Sequence, residues 1–134
     1  MEVLLVDDRP VAREVFRALA CKVFESANVT VARDLRAALQ ITSRHSLDLV
    51  TLGLGLPGHS GTEALERFRA AFPSVPVLVI SASEDTTLIQ ECLDAGASGY
   101  IAKTASLDAI AAAMKAVAAG GRYVPYEGLM LLTH

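Results

Sequence analysis

Val3-Leu4-Leu5-Val6-Asp7-Asp8 opens the chain with four apolar residues and closes on two carboxylates. A short unbroken apolar run bounded by acids predicts a strand over residues 3–6, buried on both faces. Its two aspartates then emerge side by side at the strand's C-terminal end. Pro10 follows where the first turn of a helix tolerates it. Val11, Val15, Ala18 and Leu19 recur at helical spacing, with Arg13 and Arg17 on other faces.

The same unit repeats along the chain. Residues 29–32 form a second strand, and Asp34 caps a helix over residues 35–43. Residues 47–54 are a third apolar strand, followed by the loop Gly55-Leu56-Pro57-Gly58-His59-Ser60-Gly61. Ser60 or Thr62 opens a helix running through Ala71, which stops before Pro73. Residues 75–80 are a fourth strand. Ser83, Glu84 and Asp85 lead into a helix that ends at Ala95-Gly96, a glycine suited to a C-cap. Residues 98–102 are a short fifth strand. Ser106 caps a last, Ala-rich helix to about residue 119, closed by Gly120-Gly121. Strands alternating with helices in this way predict an α/β domain with a parallel sheet and right-handed crossovers. Ligands of such sheets sit at the C-terminal strand ends, where the strand order reverses.

Composition agrees with one domain of 134 residues. Hydrophobic residues make up 52%, aromatics only 5%, and Trp is absent, so Val, Leu, Ile and Ala must build the core. A net charge of −3 gives no bulk attraction to nucleic acid. No apolar run approaches the ~18 residues needed to span a bilayer, and the acid-interrupted N-terminus is not a signal peptide. A cytoplasmic location is the expectation. Cys21 and Cys92 lie far apart in apolar helical contexts and read as buried free thiols. His45, His59 and His134 have no ligand spacing and read as surface residues.

The polar residues that gather at the strand ends define a candidate site: Asp7 and Asp8 after the first strand, Ser81 after the fourth, Lys103 after the fifth. Adjacent carboxylates suit a hard cation such as Mg²⁺. A lysine and a hydroxyl suit phosphoryl oxygens. Taken singly, each could be a solvated turn residue, a surface lysine or a helix-capping hydroxyl; their convergence favours a phosphoryl-binding pocket. A nucleophile is missing from the set.

Several stretches together resemble the response-regulator receiver domain, in particular the subfamily usually fused to a LuxR-type helix-turn-helix. They are Leu4-Leu5-Val6-Asp7-Asp8-Arg9-Pro10-Val11-Ala12-Arg13, Leu56-Pro57-Gly58-His59-Ser60-Gly61, Val79-Ile80-Ser81-Ala82 and Ala95-Gly96-Ala97-Ser98-Gly99-Tyr100-Ile101-Ala102-Lys103, with Ala118-Ala119-Gly120-Gly121-Arg122-Tyr123 at the end. The likeness spans about residues 2–125. It implies a doubly wound, flavodoxin- or CheY-like fold of five parallel strands in the order 2-1-3-4-5. Residues 1–121 would be the receiver, and residues 122–134 a linker or the start of a missing C-terminal segment.

The resemblance also implies roles. Asp7 and Asp8 organise Mg²⁺, with Asp8 the direct ligand, and Gly55 lends its main-chain carbonyl. Ser81 senses the phosphoryl group, Tyr100 is the switch aromatic and Lys103 contacts the phosphoryl oxygens. Tyr100 also has a plainer reading as a partly buried sheet residue. A sensor histidine kinase would be the upstream partner, and DNA would be reached only through a further domain. Two departures stand out. The family's pattern Asp-Leu-x-x-Pro-Gly reads here Gly53-Leu54-Gly55-Leu56-Pro57-Gly58, so glycine, natural or introduced, occupies the phosphoacceptor position. Glycine has no oxygen to attack phosphorus, and its presence removes one metal ligand, so any Mg²⁺ site is weakened. Thr104 replaces the proline common after the lysine. Asp48 lies at the wrong end of the third strand to substitute, and Thr51 lies too deep. Three readings follow: a signalling receiver whose helix 4–strand 5–helix 5 surface pairs with itself or a partner, a constitutive dimerisation or interaction module, and an enzyme. The last lacks a GxGxxG after the first strand and any substrate-sized insertion.

Overall fold

The computed structural model describes residues 1–125. Ten elements alternate: β1 (Glu2–Val6), α1 (Pro10–Val23), β2 (Asn28–Ala32), α2 (Leu35–Thr42), β3 (Leu49–Leu52), α3 (Glu63–Ala71), β4 (Val77–Ser81), α4 (Thr86–Asp94), β5 (Gly99–Ala102) and α5 (Leu107–Ala118). The strands form one parallel sheet in the order β2-β1-β3-β4-β5, as expected. The order reverses between β1 and β3, which opens a crevice above their C-terminal ends.

Alternation along each strand divides the core into two layers. Leu4, Val6, Val50, Leu52, Val77 and Val79 face Ala38, Leu65, Phe68 and Ile89 beneath α2, α3 and α4. Val3, Leu5, Leu49, Leu78 and Ile80 face Phe16, Ile110, Met114 and Val117 beneath α1 and α5. Leaving water contributes roughly 1.5–3 kcal/mol for each large side chain so buried. This explains why the central strands read as continuous apolar runs rather than as alternating ones. The apolar face of α5 formed by Ile110, Ala113, Met114 and Val117 is therefore core.

Local chemistry sets the element ends. The Asp34 carboxylate accepts from the Ala37 N–H at 2.8 Å, Asp85 from Thr87 at 3.0 Å and the Ser106 hydroxyl from Ala109 at 3.1 Å. Asp34 and Ser106 were foreseen as caps. The third strand is shorter than its apolar run, because Leu54 and Leu56 are buried in loop conformation rather than in the ladder. Neither Ser60 nor Thr62 caps α3 through its side chain. The Thr62 hydroxyl instead donates to Glu66 Oε2 at 3.1 Å.

Two sequence expectations are corrected. Cys92 is buried, but Cys21 is exposed, because it lies one residue past the core-facing Ala20 on α1. His59 is only partly accessible, and its Nδ1 lies 2.6 Å from Glu63 Oε1, one turn into α3. His45 is exposed as expected. Asp48 holds the N-terminal end of the sheet, accepting from the Glu2 N–H at 2.8 Å. His134 and most of the expected tail lie outside the described residues. Of that tail, Tyr123 forms an isolated parallel bridge with Gly99 on the outer edge of β5.

Candidate functional site

Each component of the site sits at the C-terminal end of a strand or on the loop that follows it. β1 delivers Asp7 and Asp8, β3 delivers Gly53, β4 ends in Ser81 and β5 delivers Lys103. Parallel pairing aligns these ends. The Gly53 N–H donates to Val6 O at 2.9 Å across the crevice, and the Lys103 N–H donates to Ser81 O at 2.8 Å. Together with Arg9, Leu54, Gly55 and Ser83 they line a cleft of about 260 Å³.

Asp7 is buried and fully engaged. Its Oδ2 lies 2.7 Å from Lys103 Nζ, and its Oδ1 accepts from the Arg9 N–H at 2.9 Å. Arg13 Nη1 donates to the Asp7 carbonyl at 2.8 Å from the first turns of α1. A buried charge needs such partners, since an unpaired one is strongly disfavoured. Asp8 is exposed at the mouth of the cleft. A Cβ at position 53 would lie 3.4 Å from Val6 O and 3.5 Å from Asp7 Oδ2, ordinary contact distances, so the backbone there accommodates a Cβ. The place where it would stand adjoins the Lys103–Asp7 pair.

A hard cation would find Asp8, the Gly55 carbonyl and a share of Asp7 here. Asp7 already satisfies both oxygens within the protein. Among the described residues no cluster of three or more His, Cys, Asp or Glu could hold a metal. The donors are of the right chemistry for Mg²⁺.

Ser81 is buried, and its hydroxyl accepts from the Ser83 N–H at 3.2 Å. Tyr100, the largest of the fully buried side chains, points its hydroxyl at the Ser83 carbonyl, 2.7 Å away. Burial pushes its phenol above the ordinary tyrosine value. The β4–α4 loop thus joins Ser81 to Tyr100. The structure brings together Asp7, Asp8, Gly53, Gly55, Ser81 and Lys103; Tyr100 stands one loop away, and Thr51 and Asp48 do not line the cleft. Sequence reasoning missed Arg9, Arg13 and Ser83. Arg9 had a signal: an aspartate accepting the N–H two residues on is a common turn device. Arg13 and Ser83 act on or through backbone carbonyls, which residue type alone does not reveal.

Comparison with known proteins agrees with this arrangement. Residues 3–115 match the family model described as response regulator receiver domain. The glycerol metabolism activator of Pseudomonas putida is 31% identical over 125 residues, covering 92% of this chain and 57% of the activator. The chain spans little more than half the length of the curated relatives it matches, 52% in the case of DegU from Brevibacillus brevis. A LuxR-family two-component response regulator from Aurantimonas sp. SI85-9A1 superposes with a TM-score of 0.84 at 27% identity, covering 97% of this chain and 92% of that one. A LuxR-family DNA-binding response regulator from Silicibacter pomeroyi gives 0.82 at 28% identity, with 93% and 97% covered. Among the described residues no helix is long and apolar enough to cross a membrane. Fold, strand-end residues and relatives converge, and the chain belongs to the response regulator receiver domain family.

Proposed function

We propose that this chain is a receiver that signals without an aspartyl-phosphate, because Gly53 stands where the family's phosphoacceptor aspartate would be. One observation carries the reading. The crevice keeps Asp7, Asp8, Ser81 and Lys103 around the end of β3, and the residue at that end has no side chain. A phosphoryl donor finds charge stabilisation here but no nucleophile. Mg²⁺ binds weakly, through Asp8, Asp7 and the Gly55 carbonyl. In the whole protein the domain serves transcriptional control in the cytoplasm, a sensor histidine kinase is the family's upstream partner, and DNA is contacted by another domain. It performs no catalysis of its own. Any change of state then requires a ligand or partner with different affinity for the two states.

Sedimentation with and without beryllofluoride and Mg²⁺ tests this. The chain as it stands should show no change in shape or mass, whereas Gly53→Asp should respond. A response of the unaltered chain would overturn the reading.

A second reading, a constitutive dimerisation module, has an observation of its own. Among the described residues, three of the five exposed large apolar side chains, Val11, Val15 and Leu107, lie together along α1 and the start of α5. No exposed large hydrophobic lies on α4 or β5 among the described residues, so an apolar self-pairing surface points to the α1–α5 face rather than the one expected from sequence. If that face dimerises the chain, Val11→Lys with Leu107→Lys should yield a monomer. A chain that is monomeric before substitution excludes this reading.

A further inference from the structure

After α5 the chain does not leave the domain. Gly120, at φ +87°, and Gly121 reverse it, with the Gly120 N–H donating to Val117 O and the Gly121 N–H to Ala116 O. Tyr123 then runs parallel to β5. Its N–H donates to Ser98 O and its carbonyl accepts from the Tyr100 N–H, both at 3.1 Å. The Tyr123 and Val124 side chains pack against the two opposite core layers. A sixth strand is thus begun on an edge that would otherwise expose unpaired backbone groups.

Gly99 makes this seat possible. A Cβ there would lie 3.0 Å from Tyr123 O and 3.1 Å from Tyr123 Cβ, tight enough that the seated segment would have to shift by a few tenths of an ångström. The residue after Gly99 that donates its N–H to the seated strand is Tyr100, whose hydroxyl reaches the Ser83 carbonyl beside Ser81. Tyr123 and Pro125 line a cavity of about 200 Å³ together with Tyr100, Ile89 and Glu84. Among the described residues the segment is held by the two hydrogen bonds of Tyr123 and by three partly buried residues, Tyr123, Val124 and Pro125. Such a short attachment belongs to the part of a fold that opens locally without global unfolding.

We propose that residues 122–125 are an edge-strand latch: seated, they cover the β5 edge; released, they bare it. The Tyr100 hydroxyl bond to the β4–α4 loop sets the balance between the two. The proposal rests on the receiver reading, since it gives that domain an output that needs no phosphoryl group. It concerns residues of this chain alone and fails or stands independently of what occupies position 53.

Native-state hydrogen exchange on the full chain tests it, with the Lys103 amide, bonded to β4, as internal control. Tyr100 and Tyr123 amides should be protected and should exchange together, faster than Lys103. Tyr123→Pro removes the bond to Ser98 without touching β5, and should speed Tyr100 exchange about tenfold per hydrogen bond lost, leaving Lys103 unchanged. Gly99→Ala should speed both Tyr100 and Tyr123. Tyr100→Phe, which keeps the N–H but deletes the hydroxyl, should loosen Tyr123 severalfold. Unprotected Tyr100 and Tyr123 amides in the unaltered chain, or a Tyr100 amide indifferent to Tyr123→Pro, would overturn the latch. Tyr123 exchange unchanged in Tyr100→Phe would overturn the coupling.

Discussion

At position 53 one missing side chain separates two electrostatic states of the same crevice. The backbone there accommodates a Cβ, but an aspartate would bring a second carboxylate against Asp7 beside the single ammonium of Lys103. Like charges at such range oppose each other. Gly53→Asp should therefore lower stability by about 1 kcal/mol in metal-free buffer, and added Mg²⁺ should recover it; a melting temperature unchanged or raised without Mg²⁺ would count against this. The Lys103–Asp7 pair makes the complementary case. Lys103→Met leaves a buried carboxylate oxygen without its partner, which should lower stability by about 3 kcal/mol in urea titration. That is the lower end for a broken buried pair, because the lysine side chain keeps 21% of its exposure. The thiols follow burial. Cys21 should react with a thiol reagent in the native chain and Cys92 only after unfolding. Asp7, Asp8, Ser81 and Lys103 were legible from sequence because each follows an apolar run directly. His59 and Cys21 were not, since their exposure depends on where a helix starts and which way it is rotated.

Among the elements, Arg69 near the end of α3 ties three of them together. Its guanidinium donates twice to Gly96 O after α4, and to Phe72 O, Pro73 O and Val75 O on the way into β4. Burial lowers its pKa from the ordinary arginine value, and the bonded carbonyls offset that desolvation. Arg69→Ala should destabilise by about 2 kcal/mol in chemical denaturation. Arg69→Lys should restore less than half of it, because an ammonium cannot span this ring of carbonyls. Equal stability of the alanine variant would show that water satisfies those carbonyls as well. Nothing in the sequence marks Arg69, which looks like any surface arginine of an amphipathic helix. The strands and helices themselves were legible, because buried parallel strands need unbroken apolar runs and Asp34 and Ser106 are good caps. The extent of β3 was misjudged, because the apolar loop residues Leu54 and Leu56 join the core without pairing.

For the whole molecule, the doubly wound order followed from the alternation of elements together with the family likeness, and the crevice followed from the order. The α1–α5 apolar face and the returning strand at Tyr123 did not, because both depend on how distant segments meet. Alkaline pH probes the assembled core. Burial raises the Cys92 thiol from 9.0 to about 12 and raises the Tyr100 phenol above 10.0. Above these unfolded-state values the unfolded chain loses protons that the folded one keeps, so stability falls as pH rises. The melting temperature should decline beyond pH 9, and Cys92→Ala should flatten the first part of that decline; an identical slope would assign it to other groups. The central claim concerns the crevice, and intact-mass spectrometry after incubation with acetyl phosphate and Mg²⁺ tests it most directly. The chain with Gly53 should remain unmodified, and Gly53→Asp should gain one hydroxylamine-sensitive phosphoryl group. A phosphorylated Gly53 chain, or a Gly53→Asp chain that stays unmodified, would contradict the account of a receiver silenced by the loss of its nucleophile.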